Sequence, residues 1–222
     1  MEILDDASTD PATVIRSMQD VERANKVFGG AGAAMREITG ALASLPKCAT
    51  LLDVGTGTAD IPARAKAFAR EHGTTLKTIG FDVSPALLRH FRNRNDAVVV
   101  GDALKLPFDD ASVDIVTCSQ VLHHFREHDA RILVTEMNRV ARTCVVISDL
   151  RRSIVAAGGL WMASFLLNFH PVSRHDGVVS VMRGFTTEEL TGIVQSALGK
   201  KPVVHRRRGF RITTSWKPVH TQ

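Results

Sequence analysis

The amino-acid sequence predicts an α/β fold in which an open, doubly wound and mostly parallel sheet carries helices on both faces. Two observations predict it. Short apolar segments alternate along the chain with helical segments of roughly 10 to 15 residues, the pattern of parallel strands joined by right-handed crossovers. The apolar segments are also nearly continuous rather than alternating, as expected of strands that are covered on both faces.

The composition limits the classes of protein to which this chain can belong. The chain has 222 residues, enough for one domain with a full hydrophobic core. Its 44% hydrophobic and 23% charged residues are ordinary for a soluble globular protein, and the net charge of +5 permits an anionic partner without requiring one. The three cysteines have no spacing typical of disulfides or zinc. The acidic residues 1–6 lack the apolar core of a signal peptide, which favours a cytoplasmic location.

Two helices are expected before the first strand. Asp10-Pro11 is a helix-start signal, and apolar residues recur at helical spacing as far as Val27. The segment 28–32 is rich in glycine and breaks this pattern. A second helix is expected over 33–45, where Pro46 ends it. We interpret residues 1–46 as an N-terminal helical cap.

Residues 47–150 form the predicted core of alternating strands and helices. Strands are expected where segments are apolar and β-branched, over 49–54, 75–81, 97–100, 113–118 and 144–147. Helices are expected over 60–71, which is rich in alanine, over 84–93, which opens at Ser84-Pro85, and over 129–140.

Residues 151–184 are interpreted as a helical lid insertion over the substrate. An apolar helix is expected over 153–169 and a polar loop over 171–183. The apolar run 154–169 is shorter than the roughly 20 residues that a membrane-spanning helix needs, so no transmembrane segment is expected. A buried or lid helix is favoured over a helix lying on a membrane surface, which stays open as a weak contact.

Residues 185–222 contain the predicted final helix and C-terminal strand pair. Thr186 and Glu189 form a capping box that opens a helix to residue 198, and Gly199 ends it. Two strands are expected over 202–205 and 210–216. With these elements the whole of 1–222 is taken as a single domain.

The segment 51–60, LLDVGTGTAD, carries the functional interpretation. An apolar strand followed by Gly-x-Gly and a helix is typical of nucleotide binding, because glycine lets the backbone turn tightly and approach a ligand. A dinucleotide fingerprint would need a third glycine or alanine where Asp60 stands. A carboxylate there repels a diphosphate but suits an ammonium and a sulfonium, and Asp53 adds a second negative charge.

Two further acidic residues follow the next strands. Asp82 ends the second strand and can bind both hydroxyls of a ribose, unless it only caps the helix at Ser84-Pro85. Asp102 follows the third strand and can accept a hydrogen bond from an adenine amino group, unless it is only a turn residue. Both fall in step with the glycine loop, which favours the binding of a nucleoside.

The order and spacing of these segments, together with segment 119–125 after the fourth strand, resemble the class I S-adenosylmethionine-dependent methyltransferases. The most similar subgroup is the small-molecule, quinone-biosynthesis-like type. The resemblance covers residues 49–150 well and the rest in outline. It implies a Rossmann-like sheet of seven strands with an antiparallel C-terminal strand, and S-adenosylmethionine as the cofactor. The cofactor-binding residues expected are Asp53, Gly55, Thr56, Gly57, Asp60, Asp82, Val83, Asp102, Ala103 and Ser119.

The catalytic candidates are histidines. Methyl transfer depends mostly on alignment, and an oxygen acceptor also needs a base. His123 and His124 lie just beyond the fourth strand, and either is a candidate base or only packs around the cofactor. His124 and His128 could share a helix face for a metal, but no third ligand has a useful spacing, so no metal is expected.

A second polar cluster lies in the predicted lid. Arg174-His175-Asp176 stands where this fold commonly covers the substrate, and it is either an acceptor-binding or catalytic cluster or a solvated loop. His175 is therefore a third catalytic candidate. The acceptor-binding residues expected are Phe28, Trp161, Arg174 and Asp176.

The sequence predicts an enzyme that methylates a small hydrophobic or aromatic acceptor at oxygen or carbon, as a monomer or homodimer. Three alternatives stay open: a nucleotide-dependent oxidoreductase, a non-catalytic cofactor-binding module and an RNA methyltransferase. The basic run 205–208 permits RNA binding, but a charged edge hairpin that deters strand pairing is favoured. No nucleic-acid partner is therefore expected.

Overall fold

The computed structural model describes residues 2–6, 8–42 and 45–219. The strands of this part of the chain are β1 Cys48–Val54, β2 Thr75–Asp82, β3 Ala97–Val100, β4 Val113–Ser119, β5 Ala141–Leu150, β6 Val204–Arg207 and β7 Arg211–Trp216. Its α-helices are α1 Pro11–Phe28, α2 Gly30–Leu42, α3 Asp60–Glu71, α4 Pro85–His90, α5 Glu127–Val140, α6 Ile154–Leu166, α7 Pro171–Arg183 and α8 Thr187–Leu198.

The strands form one seven-stranded sheet in the order β3-β2-β1-β4-β5-β7-β6. Strands β1 to β5 pair in parallel, and β7 runs antiparallel to both β5 and β6. The predicted fold class is therefore confirmed. The chain builds outward from β1 to β3 and then returns to place β4 on the other side of β1. This reversal opens a crevice at the carboxyl ends of β1 and β4, where open α/β sheets bind ligands.

Helices cover both faces of the sheet. On one face, Ile38 of α2 and Ile61 of α3 pack with Leu51 of β1. On the other face, Leu133 of α5 and Leu190 of α8 belong to the larger core cluster. The central strands β1, β4 and β5 are largely buried on both sides, which explains why their sequences are apolar without alternation.

The polar loop predicted over 171–183 is wrong, because this segment is helix α7. His170 caps it by accepting a hydrogen bond from Val172 N, and Pro171 takes the first helical position, where its missing N–H is not needed. The segment looked like a loop because it is polar, but Ser173 and Asp176 are buried against the N-terminal part of the chain.

Other element boundaries differ from the prediction by a few residues. Helix α2 begins at Gly30 rather than at residue 33, and part of its predicted end, residues 43 and 44, lies outside the described residues. Helix α4 ends at His90, and a 3-10 turn, Arg92–Arg94, completes the predicted segment. The capping box of α8 is present, and Gly199 ends that helix in the left-handed conformation.

Helices α1, α6 and α7 roof the carboxyl edge of the sheet. Buried Asp20 of α1 ties two of them together, because its Oδ2 accepts hydrogen bonds from His170 N and Ser173 Oγ, both at 2.8 Å. Among the residues described, no helix combines the length and apolar character needed to cross a membrane.

Candidate functional site

A cavity of about 1140 Å³ lies beneath this roof, at the switch point of the sheet. Its floor is made by the loops that follow β1, β2, β3 and β4, and its upper wall by α1, α6, α7 and the segment before α1. Twelve of the predicted site residues line it: Phe28, Asp53, Gly55, Thr56, Gly57, Asp60, Asp82, Val83, Asp102, Ala103, Ser119 and Asp176. The candidate bases His123 and His124 line it as well.

The glycine loop after β1 has the tight geometry that its sequence predicts. Gly55 and Gly57 have φ values of +70° and +51°, in the left-handed region that favours glycine. A Cβ at Gly55 would overlap the Val121 side chain, and one at Gly57 would lie 2.7 Å from Met18 Cε. The backbone therefore lies against α1 and the β4 loop; a side chain at Gly55 would overlap Val121, and one at Gly57 would require the end of Met18 to shift.

Three acidic side chains lie at this end of the cavity, of which Asp53 and Asp82 are buried and Asp60 is partly exposed. Burial raises the pKa of Asp53 to about 8, and the charges of Asp60 and Asp82 push it in the same direction. Burial also raises the pKa of Asp60 and of Asp82. Oxygen Oδ1 of Asp53 has no hydrogen-bond partner among the described residues. Acidic groups in this position suit a positively charged ligand better than a diphosphate, because a nearby positive charge favours their ionised form.

Asp82 is held in place by the backbone around it. Its Oδ2 accepts a hydrogen bond from Gly57 N at 3.0 Å, and its Oδ1 accepts one from Ser84 N at 2.9 Å. Ser84, not Asp82, caps α4, because Ser84 Oγ accepts from Leu87 N. The alternative prediction, that Asp82 only caps this helix, is therefore wrong. Both oxygens of its carboxylate are thereby fixed at the edge of the cavity.

The edge of the cavity next to β2 and β3 carries an exposed apolar side chain beside an acidic one. Val83 is 76% exposed and lines the cavity beside Asp102 and Ala103. Asp102 Oδ1 accepts a hydrogen bond from Leu104 N at 2.9 Å, so the turn role predicted as an alternative is present. The two roles are compatible because a carboxylate offers several acceptor positions.

His123 is oriented by a buried carboxylate. It lies in a 3-10 turn, Leu122–His124, and its Nδ1 is 2.6 Å from Asp149 Oδ1. Burial alone would lower the pKa of His123, but the charge and hydrogen bond of Asp149, with the charge of Glu2, raise it. Since a carboxylate only accepts, Nδ1 carries the proton, and Nε2 is without a hydrogen-bond partner among the described residues. Nε2 is thus the atom able to exchange a proton.

Glu2 lies beside this pair of histidines. Its carboxylate is 4.0 Å from His123 Nε2, 3.7 Å from His124 Nδ1 and 3.2 Å from Arg183 Nη1. Ligand atoms of Glu2, His123 and His124 lie within 4.8 Å of one another, a spacing at which a cation can bind. Arg183 already brings a positive charge to Glu2, so we assign no metal to this group. Sequence spacing alone gave no signal for Glu2, since it is distant from both histidines along the chain.

Asp176 has a structural task besides lining the cavity. Its Oδ1 and Oδ2 accept hydrogen bonds from Ile3 N and Leu4 N, both at 2.9 Å. It thereby fastens the segment before α1 over the site. His175 Nδ1 lies 2.7 Å from Asp176 Oδ1, while the His175 side chain is half exposed.

Three predicted site residues lie outside the cavity lining. His175 is one of them, although it was a catalytic candidate. Trp161 is half exposed and packs edge-on against Phe165, and the Arg174 guanidinium lies 3.8 Å from the centre of the same ring. The structure does not bring these three side chains to the candidate bases. His175 and Arg174 are on α7 and Trp161 is on α6, and none of the three side chains lines the cavity.

One polar group in the cavity wall was not predicted from the sequence. Asn25 Oδ1 accepts hydrogen bonds from Gln120 Nε2 at 2.9 Å and from Arg211 Nη2 at 3.0 Å. These residues come from α1, the β4 loop and β7, so only the fold unites them. One local signal existed, since Arg211 opens an otherwise apolar and hydroxyl-rich strand.

The sheet order, the glycine loop and the acidic residues after β1, β2 and β3 define a class I methyltransferase domain, whose cofactor is S-adenosylmethionine. Residues 52–144 match the family model described as a methyltransferase domain. The chain carries this domain, and its cofactor-facing residues fit that ligand: a glycine cradle, buried acids for positive charge and a fixed carboxylate for ribose.

Curated relatives carry related names. A demethylmenaquinone methyltransferase of Roseiflexus sp. (strain RS-1) is 34% identical over 132 residues, 55% of this chain and 53% of the relative. A ubiquinone/menaquinone biosynthesis C-methyltransferase of Paraburkholderia phymatum is 32% identical over 158 residues, 68% of this chain and 58% of the relative. The chain thus spans 53% and 58% of the lengths of these two relatives.

Solved structures show the same fold. A possible histamine N-methyltransferase from Thermotoga maritima superposes with a TM-score of 0.60 at 16% identity, covering 94% of this chain and 99% of that one. The magnesium protoporphyrin IX methyltransferase of Synechocystis, with S-adenosylhomocysteine bound, gives a TM-score of 0.58 at 14% identity, covering 90% and 87%. At these identities the likeness concerns the fold alone.

Proposed function

We propose that this protein transfers a methyl group from S-adenosylmethionine to a carbon or oxygen atom of a small, hydrophobic or aromatic acceptor. One observation carries the proposal. The cavity has an acidic end around Asp53, Asp60 and Asp82, an apolar end beneath α1 and α6, and the oriented His123 at its floor. An acidic end suits the charged cofactor, and an apolar end suits the acceptor.

The acidic end binds and aligns the cofactor. When bound, S-adenosylmethionine supplies an electrophilic methyl group on a sulfonium. Asp53 and Asp60 stabilise the positive charge of such a ligand, and Asp82 accepts hydrogen bonds from the ribose. The glycine loop allows the backbone to approach closely. These contacts fix the direction in which the methyl group faces, which contributes most of the rate in such a transfer.

The apolar end selects the acceptor. Its walls include Val14 of α1, Leu160 of α6, Phe169 and Phe210. These side chains favour an aromatic or aliphatic ligand and exclude water from it. The names of the two curated relatives support a quinone-type ring as the acceptor, and the name of the Paraburkholderia relative supports transfer to carbon.

His123 is the group that we assign to proton transfer. Its Nε2 takes a proton from a hydroxyl of the acceptor, while Asp149 holds the ring and stabilises its positive charge. His124, which also lines the cavity, is the alternative base or an orienting group. In this scheme residues 1–46 cap the site, 47–150 bind the cofactor, 151–184 form the lid and 185–222 complete the sheet.

The proposal includes no nucleic-acid partner. Two arginines of the basic run 205–208 form hydrogen bonds within the protein. Arg207 Nη2 donates to Glu37 Oε1, and Arg206 Nε donates to Thr187 Oγ1. The run belongs to β6, an edge strand, where charge deters pairing between molecules. A cytoplasmic location and a monomeric or homodimeric state remain part of the proposal.

An acceptor panel tests it. The purified protein is incubated with S-adenosylmethionine and, separately, a dihydroxynaphthalene with an apolar side chain, a simple phenol and histamine. We expect release of S-adenosylhomocysteine with the naphthalene, less with the phenol and none above background with histamine. Turnover on the amine alone, or on none of these compounds, would contradict the proposal.

A further inference from the structure

Arg211 is a buried cation on the wall of the cavity. It is the first residue of β7, it is 6% exposed, and it lines the cavity opposite the glycine loop. Its Nη2 donates to Asn25 Oδ1, while its Nε has no hydrogen-bond partner among the described residues. An arginine offers five N–H donors, so most of its binding capacity is unused.

No direct counter-ion accompanies this charge. Within the described ranges, no carboxylate oxygen forms an ion pair with Arg211 at 4.0 Å or less. The carboxylate that acts on it from further away is Asp149, whose oxygens already accept from His123 and from Leu150 N. Burial lowers the pKa of Arg211 to about 10, which reflects the unfavourable desolvation of its charge. Buried charges without a partner are rare in proteins unless a ligand supplies the partner.

The position is also rigid. Asn25 Oδ1 joins Arg211 to Gln120, whose backbone has a φ of +57°, an unusual value for a residue other than glycine. Gly30 lies against the same group, and a Cβ there would be 2.9 Å from Arg211 Nη2. The Arg211 side chain is thus bonded to α1 and lies against the start of α2, which restricts its conformation before a ligand binds.

The place of Arg211 in the sheet separates it from the cofactor end. Leu150, at the carboxyl end of β5, pairs with Arg211. Strand β7 lies three positions from β1 in the sheet, a span of roughly 14 Å at the usual strand spacing. It is on the side of His123, where the acceptor has to approach.

We propose that Arg211, fixed by Asn25 and Gln120, binds an oxygen anion of the acceptor, either a carboxylate or a phenolate. This inference rests on the proposed function and narrows the acceptor to aromatic compounds that carry such an oxygen. Where the oxygen is a phenolate, the proton goes to His123 Nε2 and the remaining negative charge is stabilised by the guanidinium.

Binding of a matched pair of aromatic probes tests the inference without requiring turnover. The probes are 2-naphthoate and 2-naphthamide, which have the same shape and differ in charge. Affinities are measured by calorimetry for the wild type, Arg211→Gln, Arg211→Lys and the control Arg151→Gln. Arg151 is a neighbouring arginine that packs on Phe210 but does not line the cavity. Thermal unfolding checks that each variant is folded.

We expect the wild type and Arg151→Gln to prefer naphthoate at least about ten-fold, as charge-assisted hydrogen bonds imply. Arg211→Gln should lose that preference and keep its naphthamide affinity within about three-fold, while Arg211→Lys should retain part of the preference. Equal preference in the wild type and Arg211→Gln, or no preference in the wild type, would overturn the inference.

The anion that Arg211 binds could also be the carboxylate of the cofactor, and the binding of S-adenosylhomocysteine distinguishes this from an acceptor anion. If Arg211→Gln weakens it about ten-fold, Arg211 holds the cofactor's own carboxylate and the inference is wrong; a change below about three-fold supports it. A charge preference that depends on Arg211, in a protein that binds no S-adenosylhomocysteine, would contradict the proposed function and leave the anion site standing.

Discussion

Three acidic side chains, Asp53, Asp60 and Asp82, carry the proposed preference of the cavity for a cationic cofactor. Each lies near the end of a strand or the start of a helix, so its position was readable from the sequence. Their burial was not, because burial depends on α1 closing over them. The sequence therefore predicted the acidic character of the site, and the structure added the raised pKa values that make ionisation of these acids unfavourable while the site is empty.

The raised pKa of Asp53 predicts how the stability of the folded protein depends on pH. Its pKa is about 8 in the folded protein and near 4 when unfolded, so between those values the folded state holds a proton that the unfolded state releases. Stability contributed by this group is therefore lost as pH rises from about 4 to about 8. Asp53→Asn should raise the melting temperature of the ligand-free protein by several degrees at pH 8.5, and by much less at pH 5.

The measurement is thermal unfolding by circular dichroism at both pH values. Asp109→Asn, a change at an exposed aspartate, is the control and should have little effect at either. A difference between Asp53→Asn and the wild type that stays constant with pH would show that Asp53 is not titrating in this window.

The proposed role of His123 as the base predicts how its removal changes the rate of methyl transfer. His123→Ala should lower kcat by about 10² to 10⁴, the usual range for loss of a general base, with the affinity for S-adenosylhomocysteine unchanged. His124→Ala tests the alternative base. His128→Ala is the control, since His128 is exposed and does not line this cavity. Full turnover by both His123→Ala and His124→Ala would remove histidine from the mechanism.

At the scale of elements, the roof of the site is held by a few buried polar contacts. Asp20 joins α1 to α7, and Asp176 joins α7 to the segment before α1. Both contacts link parts of the chain that are far apart in sequence. This is why 171–183 was mistaken for a loop: polar residues usually indicate exposure, and nothing local shows that these polar groups have buried partners.

Asp176 predicts how the N-terminal segment is fastened. Asp176→Ala removes the acceptors for Ile3 N and Leu4 N, so hydrogen exchange of these amides should increase at least about ten-fold. The acceptor KM should rise while cofactor affinity stays unchanged. Arg174→Ala, on the same helix but packed on Phe165 and outside the cavity lining, should alter neither. Unchanged exchange at residues 3 and 4 in Asp176→Ala would show that other contacts hold the segment.

Gly209 predicts a sensitive point in the turn between β6 and β7. Its φ is +69°, and a Cβ there would overlap the carbonyl oxygen of Phe28 at the end of α1. Gly209→Ala should lower the free energy of unfolding by at least about 2 kcal/mol through strain and overlap. Gly199→Ala is the control, with a φ of +67° but open space around it, and should lower it by only about 1 kcal/mol. Equal losses in denaturant titrations would mean that the contact with Phe28 is unimportant.

At the scale of the whole molecule, the two halves of the cavity differ in how far the sequence could predict them. The cofactor half is built from short loops that follow consecutive strands, so its residues have fixed spacing and could be assigned in order. The acceptor half unites Glu2, Asn25, His123 and Arg211 from distant parts of the chain. No spacing connects them, because their proximity follows from the return of the chain to β4 and the insertion of β7 beside β5.

The division of one cavity into an acidic cofactor half and an apolar acceptor half is tested most directly by a crystal structure with S-adenosylhomocysteine. We predict ribose hydroxyls on Asp82, the adenine beside Val83, the sulfur facing His123, and the space between His123 and Arg211 left open for the acceptor. An adenosyl group lying beneath α6, against Leu160 and Phe210, would contradict the account.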